Sequence, residues 1–113
     1  GTDSETGIIK DSGTPTLTTV TIASDNANNT AYAKVGDTVT VSFTASENLQ
    51  TPTVTIAGNS ATVSGSGSSW SGAYVMTGTD AEGTVAFTID FSDLVGNSGT
   101  QVTATTDASS VTF

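Results

Sequence analysis

The chain has 113 residues, enough for a single domain that closes a modest hydrophobic core without a covalent crosslink. Eleven acidic residues stand against two basic ones, so the formal charge of −9 would repel nucleic-acid phosphates and anionic membranes. Cys and His are both absent, which excludes disulfides, thiolate or imidazole metal ligands, and catalysis by Ser-His-Asp or Cys-His arrangements.

The chain is poor in charge and rich in hydroxyl groups. Charged residues make up 12% of it, against roughly 25% in a typical globular domain, while Thr, Ser and Gly are abundant. Hydrophobic residues still make up 35% and fall into alternating runs, so we expect a folded chain. No apolar run is long enough to span a bilayer, and we expect no membrane insertion.

The first predicted elements are two β-strands. In LTTVTIA, residues 17–23, Val20 and Ile22 lie on one side and threonines on the other. TVTVSFTA, residues 38–45, alternates more cleanly between apolar and hydroxyl side chains, which is the period of a strand with one buried face.

The rest of the chain continues this pattern. TVTIA, residues 53–57, breaks at Gly58-Asn59 before ATV resumes, which predicts a short hairpin or strand switch. WSGAYVM, residues 70–76, and TVAFTIDF, residues 84–91, place their large apolar side chains on one face and read as core strands. The segment 101–113 predicts one or two more strands, with a turn or bulge at residues 107–109.

Seven or eight short strands without helical periodicity predict an all-β fold, an antiparallel β-sandwich of about a hundred residues. An up-and-down barrel is the main alternative, and strands of unequal length with irregular loops favour the sandwich. Residues of equal parity in their strands form the predicted core: Val41, Phe43, Ile56, Trp70, Tyr74, Phe87, Ile89 and Phe91.

Five segments resemble a known family: PTLTTVTIASDN, AKVGDTVTVSFTASENL, TPTVTIAGNSATV, GTVAFTIDFSDLVGN and SSVTF. Together they look like a bacterial immunoglobulin-like repeat of the type strung in tandem through large surface adhesins. The resemblance covers Thr14 to Phe113, so residues 14–113 are predicted to form the domain and residues 1–13 a linker or the tail of a preceding unit. The Cys-Trp-Cys core of antibody domains is missing.

The resemblance implies an extracellular module, at the cell surface or secreted, with neighbouring repeats of the same chain as its partners and a monomeric state when isolated. It implies no catalysis, and we expect no enzyme. Units of this family serve as spacers or as adhesive modules, and in several such adhesins calcium stiffens the modules or their junctions; of the two roles we expect the structural spacer, with calcium. The alternative is an adhesive module that binds a glycan or protein through its loops, for which Tyr32 is the only aromatic residue in a loop-like setting.

In an immunoglobulin topology, successive loops lie at opposite ends of the sandwich, so every second loop gathers at the same end. One end would bring Glu47 and Asn48 towards Asp90, Asp93 and Asn97. The other end would collect the acids and amides of two further loops: Asp25, Asn26, Asp37, Asp80 and Glu82.

Carboxylate, amide and backbone oxygens are the ligands that Ca²⁺ takes in proteins, and a bound cation would relieve the acid excess. The predicted calcium ligands are Glu47, Asp90, Asp93 and Asn97 at one end, with Asp25, Asp80 and Glu82 at the other. The stretch DFSDLVGNSGTQ lacks EF-hand spacing, because Leu94 occupies a ligand position and the final Glu is missing. The alternative, which the sequence favours, is that DLVGN is only a turn whose Asp bonds its own backbone and whose Gly96 supplies a positive φ.

Overall fold

The structure is a computed structural model that describes residues 13–113, so the predicted linker lies outside the described residues except for Gly13. Within that range the regular elements are all strands. They are β1 Leu17–Ser24, β2 Thr38–Ala45, β3 Thr53–Ile56, β4 Asn59–Ser60, β5 Thr62–Ser66, β6 Ser69–Val75 and β7 Phe87–Asp90.

The strands form two antiparallel sheets that pack face to face. One sheet has four strands in the order β1-β2-β6-β5, and the other has three in the order β4-β3-β7. When β1, β2, β3, β5, β6 and β7 are taken as strands A to F, these are the A-B-E-D and C-F pairings of the immunoglobulin fold. Val102 pairs with Ile89 at the position of strand G. The predicted immunoglobulin-like sandwich is therefore confirmed.

The core lies between the sheets and follows the predicted alternation. In β2 every second residue is buried, so that Val39, Val41 and Phe43 face inwards while Ser42 is exposed. Six of the eight predicted core residues are buried: Val41, Phe43, Ile56, Phe87, Ile89 and Phe91.

Trp70 and Tyr74 are half-buried, so the prediction that both are buried is wrong. They do share the inward face of β6 with Gly72, and they pack against the edge of the core. Trp70 stands opposite Gly65 of the edge strand β5, which has no side chain to cover the indole. The polar tips also reach outwards, because Trp70 Nε1 donates to the Gly67 carbonyl at 2.9 Å and the Tyr74 hydroxyl donates to Asp80.

Gly72 brings the two sheets close together at the centre of the sandwich. A Cβ atom at this position would lie 2.7 Å from a methyl group of Val54 in the opposite sheet. The absence of a side chain on β6 therefore allows β3 to approach, and it explains why a glycine stands in the middle of a strand.

The C-terminal segment forms single bridges where one or two strands were predicted. After Val102 the chain leaves β7 and runs along the free edge of β1, where Thr106 N donates to the Val20 carbonyl at 2.9 Å and Ser109 Oγ accepts from Ile22 N at 3.0 Å. It then returns, and Val85 N donates to the Val111 carbonyl. The detour covers the edge of β1 and interrupts any longer ladder with β7.

The predicted turn at residues 107–109 is present within this detour. The Asp107 carboxylate accepts from both Ser109 N and Ser109 Oγ, and Ala108 adopts a φ of 63°. The predicted hairpin near Gly58-Asn59 is shifted by one residue. Ala57 and Gly58 both have positive φ, as a type I′ turn requires, and Ile56 pairs with Asn59.

The register defines two ends of the sandwich. We call the end with Leu17 paired to Ala45 the entry pole, because β1 begins there. We call the end with Ser24 paired to Val39 the exit pole. Phe113 exchanges backbone hydrogen bonds with Gly83 beside the loop that carries Ala31 and Ala33, so the C-terminal bridge of the sandwich lies at the exit pole.

Candidate functional site

A short hairpin over residues 92–98 forms the tip of the entry pole. Ser92 pairs with Ser98, and Asp93 N donates to the Asn97 carbonyl at 2.9 Å. Gly96 closes the turn with a φ of 95°, which an L side chain rarely adopts. The DLVGN motif therefore forms a tight turn.

The Asp93 side chain holds this turn from inside. It is only 1% exposed, and its Oδ1 accepts from the backbone N–H groups of Val95 at 3.0 Å and Asn97 at 2.8 Å. Its Oδ2 accepts from Asn97 Nδ2 at 3.0 Å. Several N–H donors that converge on one carboxylate are the arrangement of a structural Asx turn.

The loop after β2 meets this hairpin, as the topology predicts. Leu49 pairs with Asp93, Gln50 N donates to the Ser92 carbonyl at 3.0 Å, and Gln50 Nε2 donates to the Asp93 carbonyl at 2.9 Å. Glu47 is half-buried in the same loop. Asp90 is exposed and accepts from Gln101 Nε2 at 3.0 and 3.1 Å. The four predicted ligands thus belong to one pole, and the hydrogen bonds of Asp93 and Asp90 hold the chain's own backbone and amide groups.

At the exit pole, Asp25, Asn26 and Asp37 lie in and beside the loop between β1 and β2. Asp25 Oδ1 accepts from Thr38 N at 2.8 Å, and Asp37 Oδ2 accepts from Asn26 Nδ2 at 2.8 Å and from Lys34 N at 2.9 Å. The Lys34 N–H and the Asn26 amide lower the pKa of Asp37, with a smaller contribution from the Lys34 charge.

Asp80 caps a separate turn of the exit pole and does not join that group. Its Oδ2 accepts from Thr77 N at 2.8 Å and from the Tyr74 hydroxyl at 3.0 Å, and its Oδ1 accepts from Asn59 Nδ2 at 3.0 Å. The Thr77 N–H is the largest cause that lowers the pKa of Asp80. Glu82 follows two residues later and is exposed.

The predicted calcium ligands can be compared with these hydrogen bonds. Among residues 13–113, no group of three or more acidic side chains is placed to hold a metal ion. Asp37, Asp80 and Asp93 each accept from N–H donors, whose hydrogens point at the oxygens that a cation would need. Within one copy the described residues therefore do not fit a calcium site, and calcium binding stays a prediction.

The surface concavities of the described residues are open and shallow. One depression of about 240 Å³ at the entry pole is lined mainly by hydroxyl groups and a carboxylate: Thr51, Thr53, Asp90, Ser92 and Ser98, together with Phe91 and Gly99. A larger groove of about 420 Å³ lies where the C-terminal detour leaves β7, between Ile22, Phe87 and Ala104. Neither contains a group of acids that could act as a catalytic pair.

The sequence interpretation missed the exposed apolar side chains at the poles. Leu94 and Val95 are 64% and 63% exposed at the tip of the entry-pole hairpin. Tyr32 and Val35 are 56% and 58% exposed in the loop between β1 and β2, and Val75 is exposed at the end of β6. The Leu-Val pair inside DLVGN was the available signal, since a turn ordinarily carries polar residues there.

No helix of the described residues is long and apolar enough to cross a membrane. Comparisons with models of protein families, with curated proteins and with solved structures find no match to this chain, so a function has to be argued from the two poles themselves.

Proposed function

We propose that this chain is a non-catalytic structural repeat, a spacer that extends a bacterial surface adhesin away from the cell. Such a unit must pass the chain from one end of the domain to the other, so that successive units project outwards. It works through its shape and its junctions and needs no reactive group.

The positions of the first strand and of the C-terminal bridge of the sandwich carry the proposal. Thr16 lies at the entry pole, where its backbone accepts from Ser46 N at 2.8 Å, and Phe113 lies at the exit pole beside Gly83. A polypeptide that enters at one end of the sandwich and leaves at the other adds the length of a domain with every repeat.

The character of the surface supports the same role. The carboxylates of Asp93, Asp80 and Asp37 hold turns of their own chain, which makes the poles rigid. Hydroxyl side chains cover the outward faces of the long strands, as in β2 with Ser42 exposed and Thr40 half-buried. A polar surface rich in hydroxyl groups suits a spacer at the cell exterior.

Calcium belongs to this proposal at the junction between units. The exposed acids of the exit pole, Asp25 and Glu82, would face the entry pole of a following unit, where Asp90 is exposed. Oxygens from two units could complete a coordination shell that a single unit lacks.

The alternative function is that of an adhesive module that binds a glycan or a protein. Tyr32 favours it, because an aromatic ring that is 56% exposed offers a stacking surface. A ligand found by glycan or protein screening would support this alternative if Tyr32→Ala abolished binding while Val35→Ala, in the same loop, preserved it.

Small-angle scattering on two copies of the chain joined end to end tests the spacer. We expect a maximum dimension close to twice that of one copy, because the ends lie at opposite poles. Units that lie side by side, with a maximum dimension near that of a single copy, would contradict the spacer. The measurement is repeated with calcium and with chelator at equal ionic strength, and equal profiles would remove calcium from the proposal.

A further inference from the structure

The exposed large apolar side chains of the described residues are concentrated at the two poles. Leu94 and Val95 stand side by side on the hairpin of the entry pole, and Tyr32 and Val35 stand on one loop of the exit pole. We call the first pair the hairpin tip and the second pair, with Lys34 between them, the exit loop. Neighbouring exposed apolar residues at the tip of a turn are unusual without a partner surface.

The hairpin tip is ordered before any partner arrives. Asp93 holds the backbone of Val95 and Asn97 through its buried carboxylate, and Gly96 N donates to the Asp93 carbonyl at 3.2 Å. A preorganised apolar surface loses little conformational entropy on contact, so it suits a weak interface of small area.

The exit loop is also tied to the sandwich. Tyr32 pairs with Thr112 of the C-terminal segment, Ala33 N donates to the Thr112 carbonyl at 2.9 Å, and Gly36 N donates to the Met76 carbonyl at 2.9 Å. These bonds fix the loop beside the residue where the chain leaves the domain. The exit loop therefore lies where a following unit would begin.

One pair of opposite charges is available to the two surfaces, although acids outnumber bases at both poles. Lys34 is the one basic residue in the described part of the chain, and its side chain is 78% exposed. Its ion pair with Asp37 is long, at 3.9 Å, and so exposed a pair is weak enough to leave the ammonium group free to reach a second carboxylate. The entry pole offers Asp90, which is exposed beside the hairpin.

We infer that the hairpin tip of one copy docks on the exit loop of the copy before it, so that Lys34 of the preceding copy faces Asp90 of the copy that follows. The occupant of each surface is thus a second copy of this chain, held head to tail. The inference rests on the spacer function and names the contact that would set its junction. The contact is heterologous, so that two different surfaces meet and successive copies form a line.

The contact is small, and so we expect the free chain to be monomeric at micromolar concentration. Tethering in one polypeptide raises the effective concentration to the millimolar range, where a weak contact becomes populated. In the proposed chain of repeats the junction would be stiffened by apolar contact and one ion pair.

Amide chemical shifts in a dilution series of the 113-residue chain test the inference, from about 50 µM to about 2 mM. Two variants separate the surfaces: Leu94→Ser/Val95→Ser removes the hairpin tip, and Tyr32→Ser/Val35→Ser removes the apolar part of the exit loop. In the wild type we expect the amide chemical shifts of both surfaces to change as the concentration rises. In a solution of either variant by itself we expect no such change. A mixture of the two variants should restore shifts at the intact surface of each, because one contact can still form.

Both variants change exposed positions, and an unchanged amide spectrum elsewhere shows that each is folded. Charge exchange provides an independent arm: Lys34→Glu and Asp90→Lys should each weaken the shifts, and mixing the two should recover them. No concentration-dependent shift at about 2 mM, or shifts that each variant retains alone, would overturn the inference. Shifts that require calcium and survive removal of both apolar surfaces would overturn it in favour of a junction ion.

The experiments can reject the spacer function and the docking contact independently of each other. Two joined copies that scatter as an extended pair without shifts at the hairpin tip would retain the spacer and reject the contact. Joined copies that lie side by side would reject the spacer, whatever the dilution series of the single chain gives.

Discussion

The two poles use the same residue types in opposite ways. At the entry pole a single hairpin is held by one carboxylate, Asp93, which is 1% exposed. At the exit pole several loops meet, where Asp25 and Asp37 hold the loop between β1 and β2 and the half-buried Asp80 caps another turn. Asp93 is therefore a buried hydrogen-bond acceptor inside its turn, whereas Asp80 is a partly exposed cap of another turn, and burial decides what the loss of each side chain would cost.

The largest expected loss of stability comes from a core substitution, which tests whether one core stabilises both poles. Phe43 is 3% exposed in β2, the strand that runs between them. Phe43→Ala should lower the free energy of unfolding by about 3–5 kcal/mol, since it removes buried apolar surface and leaves a cavity. Urea unfolding measures this loss, with Val75→Ala at an exposed position of β6 as the control.

Hydrogen exchange of the same variant sharpens the comparison. If the core is common, the amides of Asn97 at the entry pole and Asp25 at the exit pole should both exchange faster in Phe43→Ala. Faster exchange at one pole alone would mean that the poles are stabilised independently.

The second effect compares two acids of the entry pole. Asp93→Ala should cost about 2–3 kcal/mol, because it leaves the N–H groups of Val95 and Asn97 without their buried acceptor. Asp90→Ala removes an exposed carboxylate that bonds Gln101 and should cost less than about 0.5 kcal/mol. Chemical unfolding of both variants is the measurement, and equal losses would contradict the distinction between buried and exposed carboxylates.

The sequence predicts the sandwich and its poles from features that are local in the chain. Alternation in TVTVSFTA marks the buried face of β2, and strand parity alone brings the loops of Glu47 and Asp93 to one end. The turn in DLVGN can also be predicted from the sequence, because Gly96 and the Asx residues have local conformational preferences.

What the sequence does not predict depends on contacts between distant residues. Trp70 and Tyr74 have core parity, yet their burial is limited by Gly65 across the strand pair and by hydrogen bonds at their polar tips. The C-terminal detour depends on the hydroxyl groups of Thr106 and Ser109, which accept hydrogen bonds from backbone N–H groups at the edge of β1. Thr and Ser are so common in this chain that these two positions cannot be recognised from the sequence. Separation of the acids at the exit pole has the same origin, since Asp80 accepts a hydrogen bond from Asn59 of β4, which is distant in the sequence.

The third effect is a pH dependence that belongs to the exit pole. Hydrogen bonds lower the pKa of Asp80 in the folded chain below the unfolded value of about 3.9. The folded state then binds fewer protons in acid than the unfolded state does, so this contribution is complete above the unfolded pKa and is lost as pH falls through the folded pKa. Stability should therefore fall on acidification.

Two variants isolate that contribution. Asp80→Asn removes it, so the stability of this variant should fall less steeply between about pH 5 and pH 2 than that of the wild type. Tyr74→Phe keeps the carboxylate and removes one of its donors, and it should give an intermediate slope. Urea unfolding across this pH range is the measurement, and parallel curves for all three chains would contradict a role of Asp80.

The smallest expected change in stability concerns the turn at residues 107–109, after which the C-terminal segment returns to the exit pole. Among the described residues, the entry pole has no corresponding turn. Ala108 is exposed and adopts a φ of 63°, which an alanine enters at a cost and an asparagine tolerates better. Ala108→Asn should therefore raise the free energy of unfolding by roughly 0.5–1 kcal/mol. Ala104→Asn is the matched control, because Ala104 is exposed on the same detour with an ordinary φ and should not be stabilised. A gain of equal size at both positions in thermal unfolding would show that the benefit comes from polarity and not from backbone conformation.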